Sequence, residues 1–133
     1  MEEFMNIGEV AALSEVNAKS IRRYEELGII PKVGRSLSGY RQYTINDVHV
    51  LRFVKRAREL GFSMKDIKQL VGLWRNKSRS SSQVKSIAQN HIEELEKKLK
   101  EIQGMLGTLN NLVKHCHGDH RPDCPILADL GEN

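Results

Sequence analysis

Apolar residues recur along this chain with two rhythms, one short and broken, the other long and regular. The short rhythm comes first. Ile7, Val10, Ala11 and Leu13 fall on one face of a brief amphipathic helix. After a turn at 14–16, Ile21, Tyr24 and Leu27 keep inward spacing on a second helix, from Ala18 to about Leu27. Asn17 suits its N-cap, because the side-chain oxygen accepts the free amide hydrogens of the first turn. Gly28 ends it by allowing a left-handed backbone. Two short helices joined by so tight a turn form a helix-turn-helix. Its second helix turns Lys19, Arg22 and Arg23 outward.

The pattern then breaks. Pro31 forbids helix, and Gly34, Ser38 and Gly39 are turn residues, so the stretch from Ile29 to Tyr43 reads as a small hairpin, or wing, from which Arg35, Tyr40 and Arg41 project. Thr44-Ile-Asn-Asp47 is a capping-box variant that starts a third helix, with Val48 and Leu51 inward and Gly61 at its end. Ser63-Met-Lys-Asp66 repeats the signal for a fourth, whose apolar face is Ile67, Leu70, Val71 and Trp74. The polar, Ser-rich run from Asn76 to Ser82 is a linker or hinge.

The long rhythm follows. Ala88, Ile92, Leu95, Leu99, Ile102, Leu106, Leu109 and Val113 are spaced alternately four and three apart, the signature of a coiled-coil seam. The seam runs ~39 Å at 1.5 Å per residue. Nothing else in the chain is large enough to cover such a stripe, so packing against a second copy, a homodimer, is the simplest arrangement. Gly104 and Gly107 interrupt helix propensity near its end, each costing roughly 1 kcal/mol.

Composition fits this reading. Hydrophobic content of 39% is low for a self-sufficient globule of 133 residues and suits a helical protein that completes its core by association. The net charge of +4 hides an asymmetry: residues 1–80 carry 15 Lys and Arg against 9 Asp and Glu, residues 81–133 only 6 against 8. A basic N-terminal part points to nucleic acid at that end. No apolar run approaches bilayer length, so no membrane association is expected. The acidic start Met1-Glu-Glu-Phe-Met5 has no basic-then-apolar leader, so a cytoplasmic protein is expected. No nucleophile elbow, phosphate-binding glycine loop or metalloprotease motif occurs, which argues against an enzyme. The acidic pairs Glu25-Glu26 and Glu93-Glu94 fall on expected solvent faces.

Candidate chemistry gathers behind the seam, where Cys116 and Cys124 bracket a polar loop containing Gly118 and Pro122. Three readings compete. A disulfide would be an inert staple, which a reducing compartment disfavours. Zinc normally takes four ligands, and His115, His117 and His120 lie near enough in sequence to complete a set. A two-thiolate site suits a soft monovalent ion such as Cu(I), Ag(I) or Au(I). Pro125 opens a short helix to Leu130 with Cys124 at its cap, where free amides and the helix dipole favour a thiolate.

Ile21-Arg-Arg-Tyr-Glu-Glu-Leu-Gly-Ile-Ile30, Ser38-Gly-Tyr-Arg-Gln-Tyr43 and Arg58-Glu-Leu-Gly-Phe-Ser63 together closely resemble the MerR family of transcription activators, over about residues 5 to 130. The tail Cys116-x7-Cys124-Pro-Ile-Leu127 is similar to that of the copper-efflux regulator branch, which responds to copper, silver or gold. The resemblance implies a mainly α fold. A winged helix-turn-helix domain with two following helices would occupy 1–75, a hinge 76–82, the dimerisation helix of an antiparallel coiled coil 83–114, and a metal-binding loop with a short helix 115–133. It implies metal ligation by Cys116 and Cys124, and DNA contacts at Lys19, Arg22, Tyr24, Arg35, Tyr40 and Arg41. Such dimers bend and undertwist an overlong promoter spacer so that RNA polymerase engages both its elements. Divalent-metal members carry a cysteine at the start of the dimerisation helix; here that place falls at Ser81. His117 follows the first cysteine where some relatives have proline or alanine. An alternative keeps the DNA-binding head and makes the cysteines a thiol switch for oxidants or small molecules.

Overall fold

Asn6 opens the first helix by a device that the periodicity does not reveal. Its side chain accepts the Glu9 amide at 2.8 Å while the Glu9 carboxylate takes the Asn6 amide, a reciprocal box that starts α1 (Ile7–Ser14). The computed structural model describes residues 3–31 and 33–132; Met1, Glu2, Lys32 and Asn133, which fall within the expected first and last segments, lie outside them. The turn after α1 passes through Glu15 at φ +61°, a left-handed position held by a non-glycine residue. Asn17 then caps α2 (Ala18–Glu26) by accepting the Ser20 amide at 2.8 Å. Gly28, at φ +75°, turns the chain away.

The wing is small. β1 (Gly34–Arg35) pairs antiparallel with β2 (Arg41–Gln42), Arg35 opposite Arg41, and Gly39 at φ +85° makes the turn. Met5 and Tyr43 exchange backbone hydrogen bonds of 2.7 and 2.9 Å, which ties the segment before α1 to the foot of the wing. The Thr44–Asp47 box starts α3 (Ile45–Glu59) and Ser63 caps α4 (Met64–Arg75), as the local sequence predicts.

α1, α2, α3, α4 and the wing share one core, in which Val10, Ile21, Ile30, Tyr43, Val48, Leu51, Val54 and Ile67 are sealed from solvent. Truncating one of these to alanine typically costs about 2–5 kcal/mol. Arg52, from α3, donates to the Leu13 carbonyl at 2.9 and 3.1 Å, and so fastens the end of α1. Trp74 departs from the expected pattern. It is 41% exposed and stacks on Phe53 with ring centroids 4.6 Å apart, in an open apolar groove of about 580 Å³ between α3 and α4.

The last long element is α5 (Ser81–His115), 35 residues and so ~52 Å of helix. It begins inside the expected hinge, because the Ser80 hydroxyl accepts the Ser82 amide at 3.2 Å and nucleates the first turn. α6 (Pro125–Glu132) starts at the expected proline. The chain divides into two compact units, Met1–Ile87 and Ala88–Asn133. Among the described residues no helix is long and apolar enough to cross a membrane.

Candidate nucleic-acid interface and thiol pair

α2 presents a strongly one-sided surface. Ile21 and Tyr24 are buried, whereas Lys19, Arg22 and Arg23 are exposed on the other side, as the inward spacing requires. On the wing, Arg35 and Tyr40 are exposed too, and Arg35 Nη1 donates to the Gly39 carbonyl at 2.9 Å, bracing the turn. These exposed cations and the Tyr40 ring give a helix-plus-wing surface of the kind that reads a groove and its phosphates.

Two of the six expected contact residues sit differently. The Tyr24 ring is packed in the core, and its hydroxyl accepts from Arg58 Nη1 at 2.8 Å. Apolar packing on Ile21 and the core takes the ring inward, so a direct contact is left at most to the hydroxyl edge. Arg41 does not project freely. It lies back from the wing with its Nε 3.3 Å from Glu25 Oε2, its side chain 32% exposed.

Glu25 is the residue that sequence reasoning placed wrongly. It was expected on a solvent face beside Glu26, yet its side chain is only 10% exposed. The Tyr43 hydroxyl and the Val33 amide both donate to it at 3.4 Å. Burial, then the negative charge of Glu25, pushes the Tyr43 phenol above the usual tyrosine range. The available signal was positional: Glu25 is four residues after Ile21 and adjacent to Tyr24, on the border of the buried stripe.

In the second unit, α5 ends where the Cys116 amide reaches the Val113 carbonyl at 3.1 Å. Gly118, then an Asp119–Arg121 clasp with the Arg121 amide 2.9 Å from Asp119 Oδ1, turn the loop back. Cys124 caps α6, its carbonyl accepting the Ala128 amide at 3.0 Å. The amide of Leu127 is the main cause that holds the Cys124 thiol below the usual range. Burial opposes it, and the Ile126 amide and then Cys116 add smaller effects in the same direction as Leu127. Cys116 and Cys124 are both free and both half-buried, at the two ends of the loop. No group of three His, Cys, Asp or Glu side chains gathers among the described residues. The His115 ring instead reaches the Asn111 carbonyl at 2.8 Å. Ser81 is the first residue of α5 and is exposed.

Comparison with known proteins agrees with this architecture. Residues 5–72 match the family described as MerR HTH family regulatory protein, and residues 48–112 the one described as MerR, DNA binding. The heavy metal-dependent transcription regulator 2 of Rhizobium meliloti is 56% identical over 95% of this chain and 86% of its own. The regulator CueR of Escherichia coli O157:H7 is 36% identical over 95% and 93%. Among solved structures, lead(II)-bound PbrR691 of Ralstonia metallidurans superposes with a TM-score of 0.84 at 27% identity, covering 95% of this chain and 98% of that one. A winged helix-turn-helix followed by a long helix, matched over most of its length by such relatives, places this chain in the MerR family of DNA-binding transcription regulators, which are not enzymes.

Proposed function

We propose that this protein is a heavy-metal-responsive transcription activator whose inducer is a monovalent coinage-metal ion, Cu(I) first, with Ag(I) or Au(I) as the alternatives. The observation that carries the reading is the thiol pair. Cys116 and Cys124 are free thiols at the two ends of one short loop, Cys124 is biased toward thiolate by the N-terminal amides of α6, and no group of three donor side chains gathers among the described residues. Two soft sulfur anions suit a d10 ion that accepts two ligands, whereas a divalent ion asks for more. Serine at position 81, where the resemblance puts a cysteine in divalent-metal members, agrees with that choice. The name of the heavy metal-dependent relative and the lead(II) in the PbrR691 structure support the wider class of inducer.

On this reading the protein acts in the cytoplasm as a homodimer through the apolar seam of α5. Lys19, Arg22, Arg35 and Tyr40 face double-stranded promoter DNA, and Tyr24 and Arg41 act beside them. The ion-loaded dimer reshapes the promoter for RNA polymerase.

The test is Ag(I) or Cu(I) titration under reductant, with X-ray absorption on the loaded protein. One ion per chain with two sulfur neighbours is expected, and stoichiometric binding should vanish in Cys116→Ser and in Cys124→Ser. An unchanged affinity in either variant removes the assignment. A second reading draws on the same two free thiols: hydrogen peroxide takes two electrons and two protons from the pair, leaving a disulfide and two waters. Thiol titration after peroxide treatment without metal, alongside promoter-directed transcription, separates the two.

A further inference from the structure

The wing is fastened to the recognition helix through one carboxylate. Glu25 lies in the last turn of α2, one turn beyond Arg22, and is nearly sealed from water. Groups from the wing and both its flanks converge on it. They are the Val33 amide before β1, the Arg41 guanidinium on β2 and the Tyr43 hydroxyl after β2. Arg22 lies three residues before Glu25 on α2 and is exposed, so the helix carries a free cation one turn from the carboxylate that holds Arg41 of the wing.

The Arg41 contact is unusual in kind. Nε is 3.3 Å from the carboxylate, within ion-pair range, yet it is shielded from solvent and finds no aligned hydrogen-bond acceptor among the described residues. Distance makes it an ion pair and angle denies it a hydrogen bond, so the attraction is Coulombic and undirected. A guanidinium held this way is retained but not locked. For Arg41 to extend its whole guanidinium out along the wing to a phosphate it must draw Nε away from Glu25, leaving a shielded carboxylate without its cation, and that carries a penalty. A loosely seated wing cannot offset the penalty. A wing fully docked beside α2 can, because the phosphate then meets Arg41 and Arg22 together.

We propose that Glu25 is a specificity-determining residue: it withholds Arg41 from non-specific DNA and releases it when the wing seats on an operator. This rests on the DNA-binding reading of α2 and the wing, and says which residue makes that binding selective. Removing the negative charge should therefore strengthen the wrong complexes rather than weaken the right one.

The experiment uses the full-length protein, an operator duplex selected by the wild type from a random-sequence pool, and a random duplex of equal length. Affinity is measured across salt concentrations. In Glu25→Gln, binding to random DNA should tighten severalfold, and its log–log salt slope should steepen by about 0.9, the value of one added phosphate contact. The operator-to-random ratio should fall accordingly, whereas Glu25→Asp, which keeps the charge, should stay close to wild type. In an Arg41→Gln background the Glu25→Gln change should move neither slope nor ratio. Arg41→Gln alone should weaken operator binding and flatten its slope by about 0.9 while leaving random DNA unaffected.

An unaltered ratio in folded Glu25→Gln overturns the proposal. So does a shift that persists without Arg41, since Glu25 would then act through packing alone. Equal losses on both duplexes in Arg41→Gln overturn it even should the Glu25 variant fail to fold. A wild type that selects no sequence overturns the DNA reading beneath it, and the inference falls with it.

Discussion

Tyr43 concentrates several roles in one side chain. Its ring is fully buried in the core, its backbone pairs with Met5, and its hydroxyl faces Glu25. The pH dependence follows from the raised phenol. A proton is bound more tightly in the folded state than in the unfolded one, so the contribution to stability is whole below the unfolded value of about 10 and is lost as pH climbs through the folded value. Urea midpoints measured from pH 8 to 11.5 should therefore drop on the alkaline side, and Tyr43→Phe should drop less steeply over that window. Equal steepness in both proteins would assign the loss to other groups. Neutral-pH stability should change little by this route, since the phenol is protonated in both states there. Glu15 makes a different residue-level point. Its left-handed backbone is tolerated because the turn between α1 and α2 demands it, and its carboxylate, pulled toward the charged form by a 2.7 Å hydrogen bond from Lys55, ties that turn to α3.

Elements were legible wherever the signal is local. Asn17, Thr44 with Asp47, and Ser63 act through amides three residues away, so their sequence alone forecasts the starts of α2, α3 and α4. The Asn6–Glu9 box carries the same information for α1 and was there to be read. The inward Tyr24 was legible from its period, but the burial of Glu25 and the half-open Trp74 were not, because each depends on what packs across from the helix. The thiol pair falls between these cases: the Cys-Pro junction forecasts α6, but how Cys116 stands to Cys124 depends on the path of the whole loop. α5 shows how strong a period can be. Ile92, Leu95, Leu99, Ile102, Leu106, Leu109 and Val113 are 42–59% exposed in the single chain, a continuous apolar stripe that water disfavours. Covering half of each by a second copy stabilises by roughly 1 kcal/mol per side chain. Leu99→Asp should therefore convert a dimer to monomers in sedimentation, since a carboxylate without a partner in such a seam costs roughly 3 kcal/mol or more. Lys100→Asp, one position off the seam, should remain dimeric. A dimeric Leu99→Asp would send the interface elsewhere.

At the scale of the whole molecule, the candidate DNA surface belongs to the unit Met1–Ile87 and the thiol pair to the unit Ala88–Asn133. Any influence of the ion on the promoter must then be a coupling free energy between separate sites, and such coupling is reciprocal. The factor by which Ag(I) changes operator affinity must equal the factor by which the operator changes Ag(I) affinity. An activator that stays on its promoter and reshapes it needs only a small factor, because the cations of α2 and the wing meet phosphates in both states. We expect operator affinity to change by less than about tenfold on loading, which is about 1.4 kcal/mol, with the salt slope the same within one unit while transcription rises strongly. Charge favours this arrangement: the basic balance lies in residues 1–80, and residues 81–133 carry slightly more acid than base, so the part that bears the thiol pair has no net attraction for phosphate. A hundredfold loss of operator affinity with a flattened slope would instead describe a repressor that lets go. The DNA-binding unit would then be released by the ion rather than re-posed, and the function of the thiol pair would be derepression.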